Sequence, residues 1–221
     1  MNPGGLQADS LYRFFWSGDE EVLALRGVSL TVAPGEFVAV VGPSGSGKST
    51  LLACLSGSDE PSGGQVRIAG ERISHRREPE RSRIRGKSVG LLYQQGNLFG
   101  HLTVERNIAV TQRLTGRGPH RDPRELLSTV GLHDHAKAYP GALSGGELAR
   151  AGMAVALCND PAVLLADEPT GELDTLSETV VLELIAAAAA RGTAVVVASH
   201  SPEVASAADR VIRLAYGAVV S

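Results

Sequence analysis

Short blocks of consecutive apolar residues, separated by stretches with helical spacing, recur along most of the chain. Glu36–Val41 reads EFVAVV, a nearly continuous apolar run of the kind a strand takes when both of its faces are covered. The same character returns at Ser88–Leu92, Val163–Ala166 and Thr193–Ala198. Helices are expected from about Lys48 to Leu55 and over Ser177–Ala190. Strands that alternate with helices predict a mainly parallel sheet covered on both faces. Val28–Val32 and Arg210–Val220 are read as shorter strands at an antiparallel edge. Between about Gln95 and Asn159 the strand signal vanishes, and a helical period continues with a loop, GRGPHRDP, at Gly116–Pro123. The expectation is an α/β fold in one domain over residues 1–221. Residues 1–94 and 160–221 would form its sheet core, and residues 95–159 an inserted helical subdomain.

Composition narrows what such a domain can do. The 221 residues carry 21 basic and 24 acidic side chains, a formal charge of −3. That balance offers no bulk attraction to nucleic acid or to an anionic bilayer, and no nucleic-acid partner is expected. The longest apolar candidate, Val180–Ala190, is broken by Glu183 and falls short of the ~18 residues a membrane span needs, so it reads as a buried helix. Met1–Asp9 lacks the basic-then-apolar pattern of a secretory signal. Cys54 and Cys158 lie in apolar surroundings without metal-type spacing, as small core residues in a reducing compartment would. Together these features predict a soluble, intracellular protein. The basic run from Arg72 to Lys87 is interleaved with Glu78 and Glu80 and has no aromatics, which is the pattern of a solvated helix. Only Lys48, Lys87 and Lys137 are lysines in a chain that otherwise uses arginine, so each retained lysine is expected to have a reason.

Lys48 falls in Gly42-Pro43-Ser44-Gly45-Ser46-Gly47-Lys48-Ser49, followed by Thr50, which fits G-x-x-x-x-G-K-[ST] between an expected buried strand and a helix. The glycines let backbone N–H groups curl around phosphate oxygens, and the helix start directs its positive end at them. Lys48 would reach the β- and γ-phosphates, and the Ser49 hydroxyl would supply a hard oxygen to Mg²⁺. The chain is therefore expected to bind a nucleoside triphosphate. Downstream, the apolar strand at Val163 ends in Asp167 and Glu168. Asp167 would stand beside the Mg²⁺ shell and Glu168 near the γ-phosphate, where it could act as general base on an attacking water.

Leu143-Ser144-Gly145-Gly146-Glu147 is a second glycine-rich turn just before a helix. One nucleotide does not need two such turns in one chain, so this one is read as serving the nucleotide held by a second chain. With these motifs in order the sequence resembles the ATP-binding cassette (ABC) ATPases over nearly its whole length, LSGGE matching their signature in a variant ending in Glu. The resemblance implies a P-loop NTPase fold of the RecA-like type and ATP with Mg²⁺ as ligands. It also implies a homodimer that closes on two ATP molecules, and a separate membrane permease as partner at the cytoplasmic side of the inner membrane.

The same resemblance assigns further residues. Gln94 would contact Mg²⁺ and the attacking water, and His200 the γ-phosphate. Asp174 of Gly171-Glu172-Leu173-Asp174 would reach across the dimer with Ser144, Gly145, Gly146 and Glu147. Phe15 stands where the family stacks an aromatic on adenine, with Trp16 as its neighbour and possible substitute. The segments EEVLALRGVSL, NLFGHLTVERNI, DEPTGELD and SHSPEVASAADRVIRL look most like the branch of macrolide exporters, lipoprotein-release systems and the cell-division ABC complex. The chain departs from that pattern at Leu148, Ala149 and Val155, and at Glu172, where the branch commonly has asparagine. These positions lie at or near the dimer and permease-facing surfaces. Two rival classes share part or all of this pattern. A soluble ABC ATPase acting on DNA or ribosomes would carry long arms or two cassettes, yet only 50 positions separate Gln94 from Ser144. An ATP-gated regulatory module of low turnover would share every motif.

Overall fold

A computed structural model describes residues 5–17, 20–115 and 121–220. Residues 116–120 of the GRGPHRDP loop and residues 1–4 of the N-terminal segment lie outside the described residues.

Two sheets organise the chain. The first is antiparallel, built from β1 (Leu6–Ser17), β2 (Glu20–Val32), β4 (Gly63–Ile68) and β5 (Glu71–Arg72) in the order β2-β1-β4-β5. The second has six strands, β3 (Phe37–Val41), β6 (Val89–Leu92), β7 (Val163–Asp167), β8 (Ala194–Ser199), β9 (Arg210–Ala215) and β10 (Ala218–Val220), in the order β10-β9-β3-β8-β7-β6. All its pairings are parallel except that of β10 with β9.

This corrects two expectations. The segment around Val28–Val32 is part of a 13-residue strand in a sheet of its own, not a short edge strand of the parallel sheet. Of the Arg210–Val220 tail, β9 runs parallel beside β3, and only β10 forms an antiparallel edge. The antiparallel sheet was hard to read because β1 and β2 carry polar residues and register shifts, so neither shows a clean period of two.

The parallel strands are buried on both faces, as continuous apolar runs require. Val38 and Val40 face one core with Leu11, Leu25, Leu51 and Val66, while Phe37 and Ala39 face another with Met153, Val181 and Ile185. Thus the antiparallel sheet and α1 (Lys48–Ser56) cover one side, with α2 (Glu78–Ser88) contributing Ile84. Ser88, expected in a strand, ends α2 instead.

Among the described residues three α-helices separate β6 from β7: α3 (Val104–Leu114), α4 (Pro123–Thr129) and α5 (Gly145–Leu157). They share a third core around Val104, Ile108, Leu127 and Ala154, and no strand interrupts them among the described residues. The other side of the parallel sheet is covered by α5, α6 (Thr175–Ala190) and α7 (Pro202–Ala207). Among the described residues no helix is long and apolar enough to cross a membrane. Cys54 and Cys158 are buried free thiols, each pushed up to about 12 chiefly by burial.

Candidate active site

The loop between β3 and α1 is shaped by close backbone approach. Gly45 and Gly47 have φ of 77° and 103°, which side-chain-bearing residues rarely adopt. A Cβ on Gly47 would lie 2.7 Å from the Ala24 carbonyl, so the position has neither the conformation nor the room for another residue. Because Gly47 is the N-cap, no side chain caps α1, and the amides of its first turn remain available to a ligand. Lys48, only 9% exposed, donates from Nζ to the carbonyls of Gly42 (2.9 Å) and Pro43 (3.3 Å), 4.0 Å from Glu168 Oε1.

Above this loop opens a cavity of about 850 Å³. Its floor is Gly42–Gly45 and Gly47–Thr50, and Gln94, Glu168 and His200 stand at its wall. The volume suits a nucleotide. Ser46 lies beneath, its Oγ buried without a partner among the described residues, while its carbonyl accepts from Gly217 N at 3.0 Å.

The end of β7 supplies two carboxylates in different settings. Asp167 Oδ1 is buried and unpartnered among the described residues. Asp167 and Ser49 line one small cavity beneath α1. A carboxylate oxygen left unpaired beside a hydroxyl fits a hard divalent cation such as Mg²⁺. Glu168 follows with φ of 45°, an uncommon conformation for a side-chain-bearing residue. Ser199 Oγ donates to its Oε2 at 2.9 Å, with His200 N at 3.4 Å from the same oxygen. His200 Nδ1 lies 3.0 Å from Oε1. The C-terminal ends of β7 and β8 thus hold an acid, a histidine and a hydroxyl in one network at the cavity wall, where open α/β sheets place their ligands.

The second glycine turn is elsewhere. Ser144 caps α5: its Oγ accepts from Glu147 N at 3.3 Å, while Glu147 Oε2 accepts from Ser144 N at 2.8 Å and from Ser144 Oγ at 2.9 Å. These bonds, the backbone one foremost, hold the Glu147 carboxyl below its ordinary range. Gly145 lines a separate cavity of about 330 Å³ together with Gln94, Leu148, Ala149 and Glu172. Gly146 packs so tightly that a Cβ would lie 2.4 Å from Ser177 Oγ. Asp174 caps α6, accepting from the backbone amides of Leu176 and Ser177 at 3.0 Å each and from Ser177 Oγ at 2.8 Å. Its carboxyl is lowered mainly by the Ser177 amide. Within one chain neither group faces the large cavity.

The structure therefore joins Gly42–Gly45, Gly47–Thr50, Gln94, Glu168 and His200 around one space, and sets Ser144–Glu147 and Asp174 apart. Phe15 is not on the cavity wall; its ring is 39% exposed and carries the Arg13 guanidinium 4.4 Å above its centroid. Trp16 is 74% exposed. The rest of the wall comes from Val22, Leu23, Ala24 and Arg26 of β2, with Tyr216 from the β9–β10 turn, and sequence reading missed all of these. It also missed Ser199, which sits beside His200 at a strand's C-terminal end and was findable from that position alone.

Comparison with known proteins gives the site its family context. The ABC transporter family matches residues 25–171. The lipoprotein-releasing system ATP-binding protein LolD of Paramagnetospirillum magneticum is 39% identical over 225 residues, covering 100% of this chain and 99% of that protein. The macrolide export ATP-binding/permease protein MacB of Shigella flexneri is 39% identical over 218 residues, covering 97% of this chain but 34% of that protein. The chain thus spans about a third of the length of the MacB relatives and nearly all of LolD. Among solved structures, the dimeric post-hydrolysis state of the ATP-binding cassette MJ0796 bound to ADP and Pi superposes with a TM-score of 0.90 at 32% identity, covering 98% of this chain and 97% of that one. Both the α/β cassette fold and the branch expected from the motifs are borne out.

Proposed function

The chain belongs to the ABC transporter family, as an ATPase of its macrolide-export and lipoprotein-release branch, and we propose that it drives a separate membrane permease by closing as a homodimer around two ATP molecules. The observation that carries this reading is the separation of two phosphate-type turns. The Gly42–Thr50 cradle faces the large cavity, whereas the Ser144–Glu147 turn does not line it. A second copy would bring the two together. The match to LolD, the ATP-binding protein of a lipoprotein-releasing system, supports the role of an ATP-binding component acting with a membrane partner at the cytoplasmic face of the inner membrane. No nucleic-acid partner is proposed. In this reading residues 1–94 and 160–221 are the nucleotide-binding core and residues 95–159 the signature subdomain.

In this reading each residue takes a role suited to its position. The uncapped amides of α1 and Lys48 hold the triphosphate, with Ser44, Gly45, Ser46, Gly47, Ser49 and Thr50 forming the cradle. Ser49, Asp167 and Gln94 would hold Mg²⁺, which when bound neutralises charge on the phosphates. Glu168 takes the proton of the attacking water, and Ser199 and His200 fix its carboxylate in place. His200 faces the γ-phosphate end of the cavity. The adenine-stacking role expected of Phe15 or Trp16 has no support from placement, since neither lines the cavity, while Ser144–Glu147 and Asp174 would meet the partner's ATP. Phosphoryl transfer to water needs mainly positioning and charge neutralisation, which this arrangement provides.

Light scattering on Glu168→Gln, with and without ATP and Mg²⁺, tests the clamp. A monomer that becomes a dimer only with ATP is the expected result. A monomer throughout, in protein shown to bind ATP, would overturn the homodimer.

A further inference from the structure

We propose that Glu172 is a positioning residue for Gln94, setting which end of its amide faces the cation site; this rests on the reading that Gln94 contacts Mg²⁺. Gln94 Nε2 donates to Glu172 Oε1 at 3.3 Å, and Gln95 Nε2 lies 3.0 Å from both carboxylate oxygens. Gln94 thus bridges two spaces: it lines the large cavity with Ser49 and Glu168, and the smaller one with Glu172. The backbone beneath is close as well, since a Cβ on Gly171 would sit 3.5 Å from Gln94 Nε2.

The chemistry turns on hydrogen-bond polarity. An ionised carboxylate only accepts, so the group it holds on Gln94 must be the NH₂ end. The carbonyl oxygen, the only end of the amide that a hard cation will take, is then left for the cavity. Gln95 holds both oxygens of the carboxylate and keeps it in place. A carboxamide at position 172 could donate or accept and would leave the flip of Gln94 undetermined. Partners that orient a metal ligand in this way change metal affinity by about 10–100-fold. Glu172 is exposed, which places its effect at the low end of that range.

The test measures metal affinity directly. Mn²⁺ is titrated by electron paramagnetic resonance into the full chain with a non-hydrolysable ATP analogue, for wild type, Glu172→Gln, Glu172→Asp and Gln94→Ala. Binding of the analogue without metal serves as a control for folding and for the cradle. Glu172→Gln should weaken Mn²⁺ about tenfold with metal-free binding unchanged. Glu172→Asp, still acceptor-only but shorter, should fall between it and wild type. Unchanged Mn²⁺ affinity in Glu172→Gln, beside weakened binding in Gln94→Ala, overturns the proposal while leaving Gln94 its role. Unchanged affinity in Gln94→Ala removes the role of Gln94 and the proposal with it. Loss of metal-free binding in Glu172→Gln would also overturn the proposal, because Glu172 would then support the whole site.

Discussion

Two helices of this chain start after glycine-rich turns, and they leave their first amides in opposite states. At α1 the N-cap is Gly47, with φ of 103° and no capping side chain. At α5 the N-cap is Ser144, closed by a reciprocal box with Glu147. Every helix start has unsatisfied N–H groups and a partial positive charge. In α1 that capacity is kept for an anion from outside the chain. In α5 the protein's own carboxylate already uses part of it. A glycine-rich turn before a helix therefore does not by itself identify a complete phosphate site. What surrounds the turn decides: α1 opens under a cavity lined by Glu168 and His200, while Ser144 and Glu147 satisfy each other.

The largest expected effect tests whether the α1 side works as an assembled centre. Glu168→Gln should lower the hydrolysis rate by about 10²–10⁴-fold, measured as phosphate release, while equilibrium ATP binding stays near wild type. Near wild-type turnover would remove Glu168 as the base. Next come the glycines themselves. Gly47→Ala should cost about 2–4 kcal/mol in urea unfolding, because it forces φ of 103° on alanine and drives its Cβ against the Ala24 carbonyl. Gly145→Ala should be neutral or stabilise by up to about 1 kcal/mol, since its φ is not positive and the nearest atom to a Cβ there is Leu173 Cδ2 at 3.8 Å. Equal costs at the two glycines would erase the structural contrast.

The contrast between the two turns was only half legible in the sequence. The cradle could be read fully: an apolar strand, G-x-x-x-x-G-K-S and a helix form a local unit whose geometry the residue types dictate. The end of β7 could be read too, because acids that terminate a buried apolar run must lie at the strand's mouth. What escaped depended on distant pairing. β2 supplies part of the cavity wall, yet the polar residues and irregular register of its pairing with β1 mask the period of two. Phe15 lies on β1 opposite Val22, and it is Val22 that lines the cavity. The bond from Gln94 to Glu172 joins positions 78 apart, beyond any periodicity argument. Ser144 and Glu147 do form a capping box pattern three residues apart, a local signal legible beside the family signature.

A smaller effect sharpens the α5 side. Ser144→Ala removes the acceptor for the Glu147 amide and should cost about 1 kcal/mol in urea unfolding. A cost well above that would mean that the turn is held by more than its cap. The cap also sets a pH dependence. The Glu147 carboxyl is held below its ordinary value of 4.5, so its contribution to stability is fully present above that value and is lost as the pH falls through its lowered folded value. Unfolding of Glu147→Gln should lack this component at acid pH.

The smallest effect bears most directly on function. If the α5 turn receives the partner's ATP, Glu147 sets an ionised carboxylate on the Ser144 amide and hydroxyl, the groups a phosphate oxygen would use. The charge opposes the incoming phosphate, and the hydrogen bonds compete with it. Glu147→Gln keeps an acceptor for the cap and removes the charge. In the Glu168→Gln background it should tighten the ATP-dependent dimer a few-fold, and the gain should shrink as salt rises, because an exposed charge is screened within about 10 Å at 0.1 M. A gain independent of salt would point to altered packing at the turn, not to charge. A looser dimer would mean that the partner's nucleotide needs α5 rigidly capped more than it needs the charge removed. The two helix starts would then differ in who supplies the cap, and no longer in whether an anion is welcome.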